Sequence, residues 1–275
     1  MRLETHTWRA SYGAEARPRM GFFTDTSLCI GCKACEVACK QWNGNAEDGL
    51  DFTAESYDNT SALGADTWRH VAFIEQSAPT VVDDEQDGFR WLMSSDVCKH
   101  CTSAACLEVC PTGALSRTEF GTVVVQEDVC NGCGYCIPAC PFGVIDQRKE
   151  DGRAWKCTLC YDRLKDDQEP ACAKACPTES IQFGELEDLR ARAAGRVQEL
   201  QEAGVEQARL YGESTDDGVG GFGAFFLLLD RPEVYGLPPD PVVPTRDLGE
   251  TWRAAALAAG GMLVGVAAAF AAGRR

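Results

Sequence analysis

The chain has little of what hydrolytic or nucleotide-dependent chemistry requires. Its 275 residues hold three histidines, His6, His70 and His100, and no serine–histidine–aspartate arrangement suited to nucleophilic catalysis. It has no P-loop. The glycine-rich run Gly218-Val-Gly-Gly-Phe-Gly223 follows no clear strand, so no nucleotide site is read there. Basic residues are scarce: 26 Lys and Arg stand against 42 Asp and Glu, giving a net charge of −16. No Lys/Arg stripe could meet phosphates, which argues against a nucleic-acid binder. The first twenty residues lack an apolar run and carry Arg2, Arg9, Arg17 and Arg19, so no secretory signal is expected there.

What the sequence has in excess is cysteine. Sixteen are present, and they fall into four groups of four instead of the scattered pairs of a disulfide scaffold. The clearest group is Cys130-Asn-Gly-Cys133-Gly-Tyr-Cys136-Ile-Pro-Ala-Cys140-Pro141, the C-x2-C-x2-C-x3-C-P run of cubane iron–sulfur proteins. Three evenly spaced thiolates can wrap one face of a cluster, and a fourth, a helical turn further on, points towards a second. Zinc sites are usually built from paired C-x2-C units closing one tetrahedron, and this run has a third member. Cys29, Cys32, Cys35 and Cys39 repeat the spacing with Lys40 in place of the proline, so their helix is expected to continue into Gln41-Trp42-Asn43. Cys98, Cys101, Cys106 and Cys110-Pro111 form the second group, with the third ligand loosened by two residues. Cys157, Cys160, Cys172 and Cys176-Pro177 form the fourth, with an 11-residue insertion. This internal repeat predicts four 4Fe–4S clusters with every cysteine used, assembled on reduced thiolates. Spacing alone leaves open which groups share clusters.

The remaining segments are read around this frame. Residues 1–23 are expected to be an arm, with Trp8 and Tyr12 as anchors. Residues 24–183 form the four-cluster core, with 93–148 as an inner dicluster subdomain. Within the core, 43–66 is a loop insertion, 68–74 and 89–93 are strands, and 83–88 is a solvated hairpin tip. Residues 122–125 make a further strand. Residues 184–251 are a helical and proline-rich extension. There, Leu186, Leu189, Ala193, Val197 and Leu200 lie at helical spacing, and 225–229 reads as a buried strand. Prolines 232, 238, 239, 241 and 244 then give a stiff connector. Residues 252–275 form a membrane helix. Its uncharged stretch, 254–273, would span roughly 30 Å, is flanked by Trp252 and arginines, and is mildly apolar because it holds ten alanines. Gly261 and Gly265, four apart, suit close packing against another helix. The fold class expected is α+β: two ferredoxin-like subdomains, a C-terminal extension and one transmembrane helix. Lys33, Lys99 and Lys156 each adjoin a cysteine, as surface lysines or as charges offsetting a cluster. His100 is read as tuning or shielding a cluster.

At these residues the chain resembles the four-cluster electron-transfer subunits of molybdopterin oxidoreductases, and within them the iron–sulfur subunit of membrane-bound formate dehydrogenase. The resemblance rests on the run from Gly21 to Cys39, on Trp155-Lys-Cys-Thr-Leu-Cys-Tyr-Asp-Arg163, on Tyr235-Gly-Leu-Pro238 and on the C-terminal helix. It implies nested ligand sharing. Cys29, Cys32 and Cys35 would join Cys176, and Cys39 would join Cys157, Cys160 and Cys172. Cys98, Cys101 and Cys106 would join Cys140, and Cys110 would join Cys130, Cys133 and Cys136. It also implies a molybdenum or tungsten pterin catalytic subunit oxidising formate, a membrane cytochrome b passing electrons to quinone, and a cluster domain on the outer face. The same wire in a hydrogenase or in a nitrate, polysulfide or sulfoxide reductase is the alternative. A stand-alone polyferredoxin and a multi-zinc protein are the others.

Overall fold

The computed structural model describes residues 8–47, 49, 52–54, 57–77 and 89–273. The expected hairpin tip at 83–88, His6 and the two terminal arginines lie outside them. In chain order the regular elements are α1 (Trp8–Tyr12), β1 (Met20–Asp25), α2 (Ala34–Asn43), β2 (Arg69–Ser77), β3 (Phe89–Val97), α3 (Ala105–Glu108), β4 (Leu115–Arg117), β5 (Val123–Val125) and α4 (Cys136–Ala139). They continue with β6 (Asp146–Gln147), β7 (Ala154–Trp155), α5 (Tyr161–Lys165), α6 (Ala171–Lys174), β8 (Ile181–Glu185), α7 (Leu186–Glu202), β9 (Arg209–Tyr211), β10 (Ala224–Leu228) and α8 (Leu248–Ala272).

Proline sets the length of the helices that carry cysteines. Single-turn helices α3, α4 and α6 stop just before Cys110-Pro111, Cys140-Pro141 and Cys176-Pro177, because proline offers no N–H and clashes with the preceding turn. With Lys40 in that position, α2 runs through Asn43 and ends on Gly44 in the left-handed region at φ +62. The expected continuation is therefore present.

The largest sheet has four strands in the order β8-β1-β10-β9. β10 lies parallel to β1 with Phe23 opposite Phe225, and β8 runs antiparallel on the other side. Phe22, Phe23, Phe225, Phe226 and Leu227 are buried at its centre, and the rings of Phe23 and Phe225 stack at 5.3 Å. Two expected boundaries are corrected here. β1 takes residues 20–23 out of the arm, and β10 brings part of the extension into the core sheet. Upstream, Tyr12 does anchor its segment, donating its hydroxyl to the Arg117 carbonyl at 2.7 Å. α7 buries Leu186, Leu189 and Ala193, the stripe expected from its spacing.

The glycine run Gly218, Gly220 and Gly223 does fall at G-x-G-x-x-G spacing, but it leads into a strand and opens no helix. A Cβ on Gly218 would meet the Pro241 carbonyl oxygen at 2.4 Å, and one on Gly223 would meet His100 at 3.1 Å. These glycines let neighbouring backbone segments approach closely. The second main element is the ribbon β2–β3, paired over nine residues from Arg69↔Val97 to Ser77↔Phe89, which leads directly into Cys98. Hairpins β4–β5 and β6–β7 follow the second and third cysteine groups. The connector passes through a 3-10 turn at Pro232–Tyr235, and Tyr211 donates its hydroxyl to the Pro238 carbonyl at 2.6 Å. α8 has a mean hydropathy of 2.0 over its most apolar window, is long enough to cross a membrane, and is exposed along its whole length.

Candidate iron–sulfur centres

Neighbouring thiols suggest four candidate quartets, each drawn from two cysteine groups. Cys29, Cys32, Cys35 and Cys176 line one cavity of roughly 290 Å³. Cys98, Cys101, Cys106 and Cys140 line another of roughly 380 Å³. The other two sets are read from neighbouring thiols. Cys39 interacts with Cys157, Cys172 and Cys160, and Cys136 with Cys130, Cys110 and Cys133. Left-handed residues bend the ligand loops around these spaces, among them Gly31 at φ +65, Gly132 at φ +73 and Cys160 at φ +48.

The donor chemistry fits cubanes. Among the described residues, no three histidine, cysteine or carboxylate side chains converge tightly enough to hold a single metal ion. A zinc tetrahedron would bring its sulfurs within about 3.8 Å of each other, given Zn–S bonds near 2.3 Å. Four sulfurs spread around a wider space form the donor set of a four-iron cluster, which supplies one-electron transfer when bound. Burial pushes the thiols up, to about 11 at Cys35, Cys136 and Cys160 and to about 12 at Cys106. Cys110 goes the other way, because backbone N–H groups, led by that of Leu115, outweigh its slight burial.

The quartets adjoin one another in series. Across their boundaries Cys35 interacts with Cys172, Cys157 with Cys98, and Cys106 with Cys136. The order is therefore the Cys29 quartet, the Cys157 quartet, the Cys98 quartet and the Cys130 quartet. Cys32 and Cys133 are exposed, one in each end quartet, whereas every member of the Cys157 quartet is buried.

Buried cations occupy the row. Lys99 and Lys156 are not surface lysines: they are 0 % and 1 % exposed. Lys99 pairs with Asp96 and lies over the Phe226 ring at 4.9 Å. Lys156 donates to the carbonyls of Val123 and Cys157, the latter at 2.8 Å, and lines the Cys98 cavity from the side of the Cys157 quartet. Lys33 differs. It is half-buried and paired with Asp58 at 3.1 Å and Glu36 at 3.3 Å. Arg69, which spacing did not single out, is buried and donates from Nη2 to Cys172 Sγ at 3.3 Å. His100 also lines the Cys98 cavity. Its Nδ1 accepts the Val123 N–H at 3.0 Å, which leaves the ring proton on Nε2, a buried atom with no partner among the described residues. Burial and the nearby Lys156 charge hold this imidazole neutral by depressing its pKa well below the usual range.

Comparison with known proteins identifies the cluster domains. Models of the 4Fe-4S dicluster domain match residues 28–114 and 89–186. Two diclusters give four 4Fe–4S clusters, which the sixteen cysteines can serve in full. The chain is 43% identical over 248 residues to a formate dehydrogenase iron-sulfur subunit of Haemophilus influenzae, covering 86% of this chain and 75% of that protein. It is also 43% identical over 226 residues to the nitrate-inducible formate dehydrogenase iron-sulfur subunit of Escherichia coli, covering 80% and 73%. Against the B subunit of the anaerobic dimethyl sulfoxide reductase of Escherichia coli the identity is 37% over 171 residues, covering 62% and 75%. Four clusters in an oxidoreductase subunit give this chain an electron-transfer role, and it belongs to the family of formate dehydrogenase iron–sulfur subunits.

Proposed function

We propose that the chain conducts electrons from a molybdopterin catalytic subunit, carrying molybdenum or tungsten and oxidising formate, to a membrane cytochrome b that reduces quinone. The observation that carries this reading is the row of quartets whose two end members alone combine an exposed cysteine with exposed apolar neighbours. Ile30, 58% exposed, stands beside Cys32, and Tyr135, 62% exposed, stands near Cys133. Electrons enter and leave at these ends. The ligand sets are the nested ones: Cys29, Cys32, Cys35 and Cys176; Cys39, Cys157, Cys160 and Cys172; Cys98, Cys101, Cys106 and Cys140; Cys110, Cys130, Cys133 and Cys136. Groups one and four thus make an outer dicluster unit enclosing the inner unit at 93–148.

The connector supports a direction for the row. Thr245, three residues before α8, donates to Glu108, which lies between Cys106 and Cys110. On this reading the Cys130 end faces the membrane and the Cys29 end faces the catalytic subunit. α8 anchors the assembly as a single pass, with the cluster domain on the outer face. Formate is favoured over sulfoxide as the partner's substrate because the match to formate dehydrogenase subunits runs over 226 to 248 residues, against 171 for the sulfoxide reductase subunit.

The test is spectroscopic. Anaerobically purified protein should hold about sixteen irons, four per cubane. Cys176→Ser should alter the same paramagnetic signal as Cys29→Ser. A Cys176→Ser change that matches Cys130→Ser would overturn the nested sets. Formate added to the intact complex should reduce all four clusters, and a complex that responds to hydrogen or sulfoxide but not formate would overturn the partner assignment.

A further inference from the structure

Arg69 occupies the gap between the first two quartets and reaches both. It opens β2, where it pairs with Val97, and is 1% exposed. One arm of the guanidinium, Nη2, donates to Cys172 Sγ at 3.3 Å. The other arm, Nη1, donates to the Ser95 carbonyl at 3.1 Å and approaches Ser95 Oγ at 3.5 Å. Ser95 Oγ in turn lies 3.2 Å from Cys35 Sγ. The Phe22 ring, 4.8 Å from the guanidinium carbon, closes one face of the group. Among the described residues no carboxylate forms an ion pair with Arg69, although carboxylates pair with Arg90, Arg148, Arg190, Arg196 and Arg246. A buried guanidinium without a counter-ion is strongly disfavoured, so the thiolates are its counter-charge.

We infer that Arg69 is a positioning and charge-setting residue for two clusters, reaching one through the Cys172 sulfur and the other through Ser95 and the Cys35 sulfur. This rests on the ligand sets proposed above. One-electron reduction adds a negative charge to a cluster, and a fixed cation nearby stabilises the reduced form more than the oxidised one. Hydrogen bonds to thiolate sulfur act in the same direction. Arg69 therefore raises both potentials, and raises that of the Cys157-quartet cluster more. It sits where an electron crosses from the first cluster to the second, so its loss makes both centres harder to reduce.

The experiment is a redox titration followed by paramagnetic resonance on the full-length, cluster-loaded protein. Signals are assigned beforehand with Cys29→Ser and Cys160→Ser. Arg69→Met should lower both potentials, shifting the reduction equilibrium of the Cys157-quartet cluster at least tenfold, about 59 mV for one electron. The other two clusters should not move. Arg69→Lys should recover most of the shift by restoring charge without the fork. Ser95→Ala should lower the Cys29-quartet cluster alone. Unmoved potentials in Arg69→Met with full iron content would overturn the inference, as would an equal shift of all four clusters. Should Arg69→Met fail to load its clusters, Ser95→Ala decides, and an unchanged Cys29-quartet potential there also overturns it. A wild-type chain with fewer than four cubanes would instead overturn the ligand sets, and iron analysis tells the two failures apart.

Discussion

Two glycines inside ligand loops show how closely the chain wraps its clusters. Gly31 precedes Cys32 and Gly132 precedes Cys133, both at positive φ. A Cβ on Gly132 would stand 2.4 Å from the Gly152 carbonyl oxygen, a backbone atom that cannot yield. A Cβ on Gly31 would meet Phe73 and Met93 side chains, which can shift. Gly132→Ala should therefore cost about 1–3 kcal/mol of local strain and selectively reduce occupancy of the Cys130 quartet. Iron content should fall towards three cubanes per chain, and unchanged content would contradict this. Titration makes a second residue-scale prediction. Thiols raised to about 11 or 12 at Cys35, Cys106, Cys136 and Cys160 are protonated at neutral pH, whereas cluster ligands are thiolates. Cluster insertion thus releases protons, and raising pH favours the loaded form. Reconstitution from about pH 6.5 to 8.5 should become more complete as pH rises; a flat profile would argue against it. The sixteen cysteines were legible as candidate ligands because their spacing is local. Arg69 was not, since Ser95 is 26 residues away and Cys172 is 103.

Elements were legible to the extent that their determinants are local. Proline stops, the apolar stripe of α7 and the alternation of β2 all read directly from neighbouring residues. β1 escaped because Met20-Gly-Phe-Phe-Thr-Asp25 has no hairpin partner nearby: its parallel neighbour β10 begins at Ala224. A parallel pair joined through most of the chain leaves no turn signal to read. The pairing is nonetheless central to the core. Phe225→Ala, which removes a fully buried ring stacked on Phe23, should destabilise the cluster-loaded protein by about 3–5 kcal/mol. Phe52→Ala, at a side chain 85% exposed, should stay within about 0.5 kcal/mol. Comparable losses in thermal or denaturant unfolding would mean that the sheet is not the stabilising unit.

At the scale of the whole molecule, the proposed function divides the work, with conduction in the clusters and attachment in the apolar helix. Every cysteine precedes residue 177 and α8 buries none of its residues, so the helix can be removed without deleting a cysteine. At about 1.5 Å per residue the 25 residues of α8 reach roughly 37 Å, enough to cross the hydrocarbon layer with some tilt. Alanine makes this span weakly hydrophobic, so its hold on the membrane should depend on a neighbouring helix, with Gly261 and Gly265 leaving room for close approach. Deleting residues 248–275 should leave iron content and cluster signals unchanged and release the chain from membranes. The full-length chain expressed without a membrane partner should be extracted more easily than the same chain in its complex. A truncated chain that stays membrane-bound on its own, or that loses iron, would show that α8 is not the anchor or that it supports the cluster fold. Sidedness follows from the same preparation. External protease should cleave the cluster domain in intact spheroplasts if it lies on the outer face, and protection until lysis would place it inside.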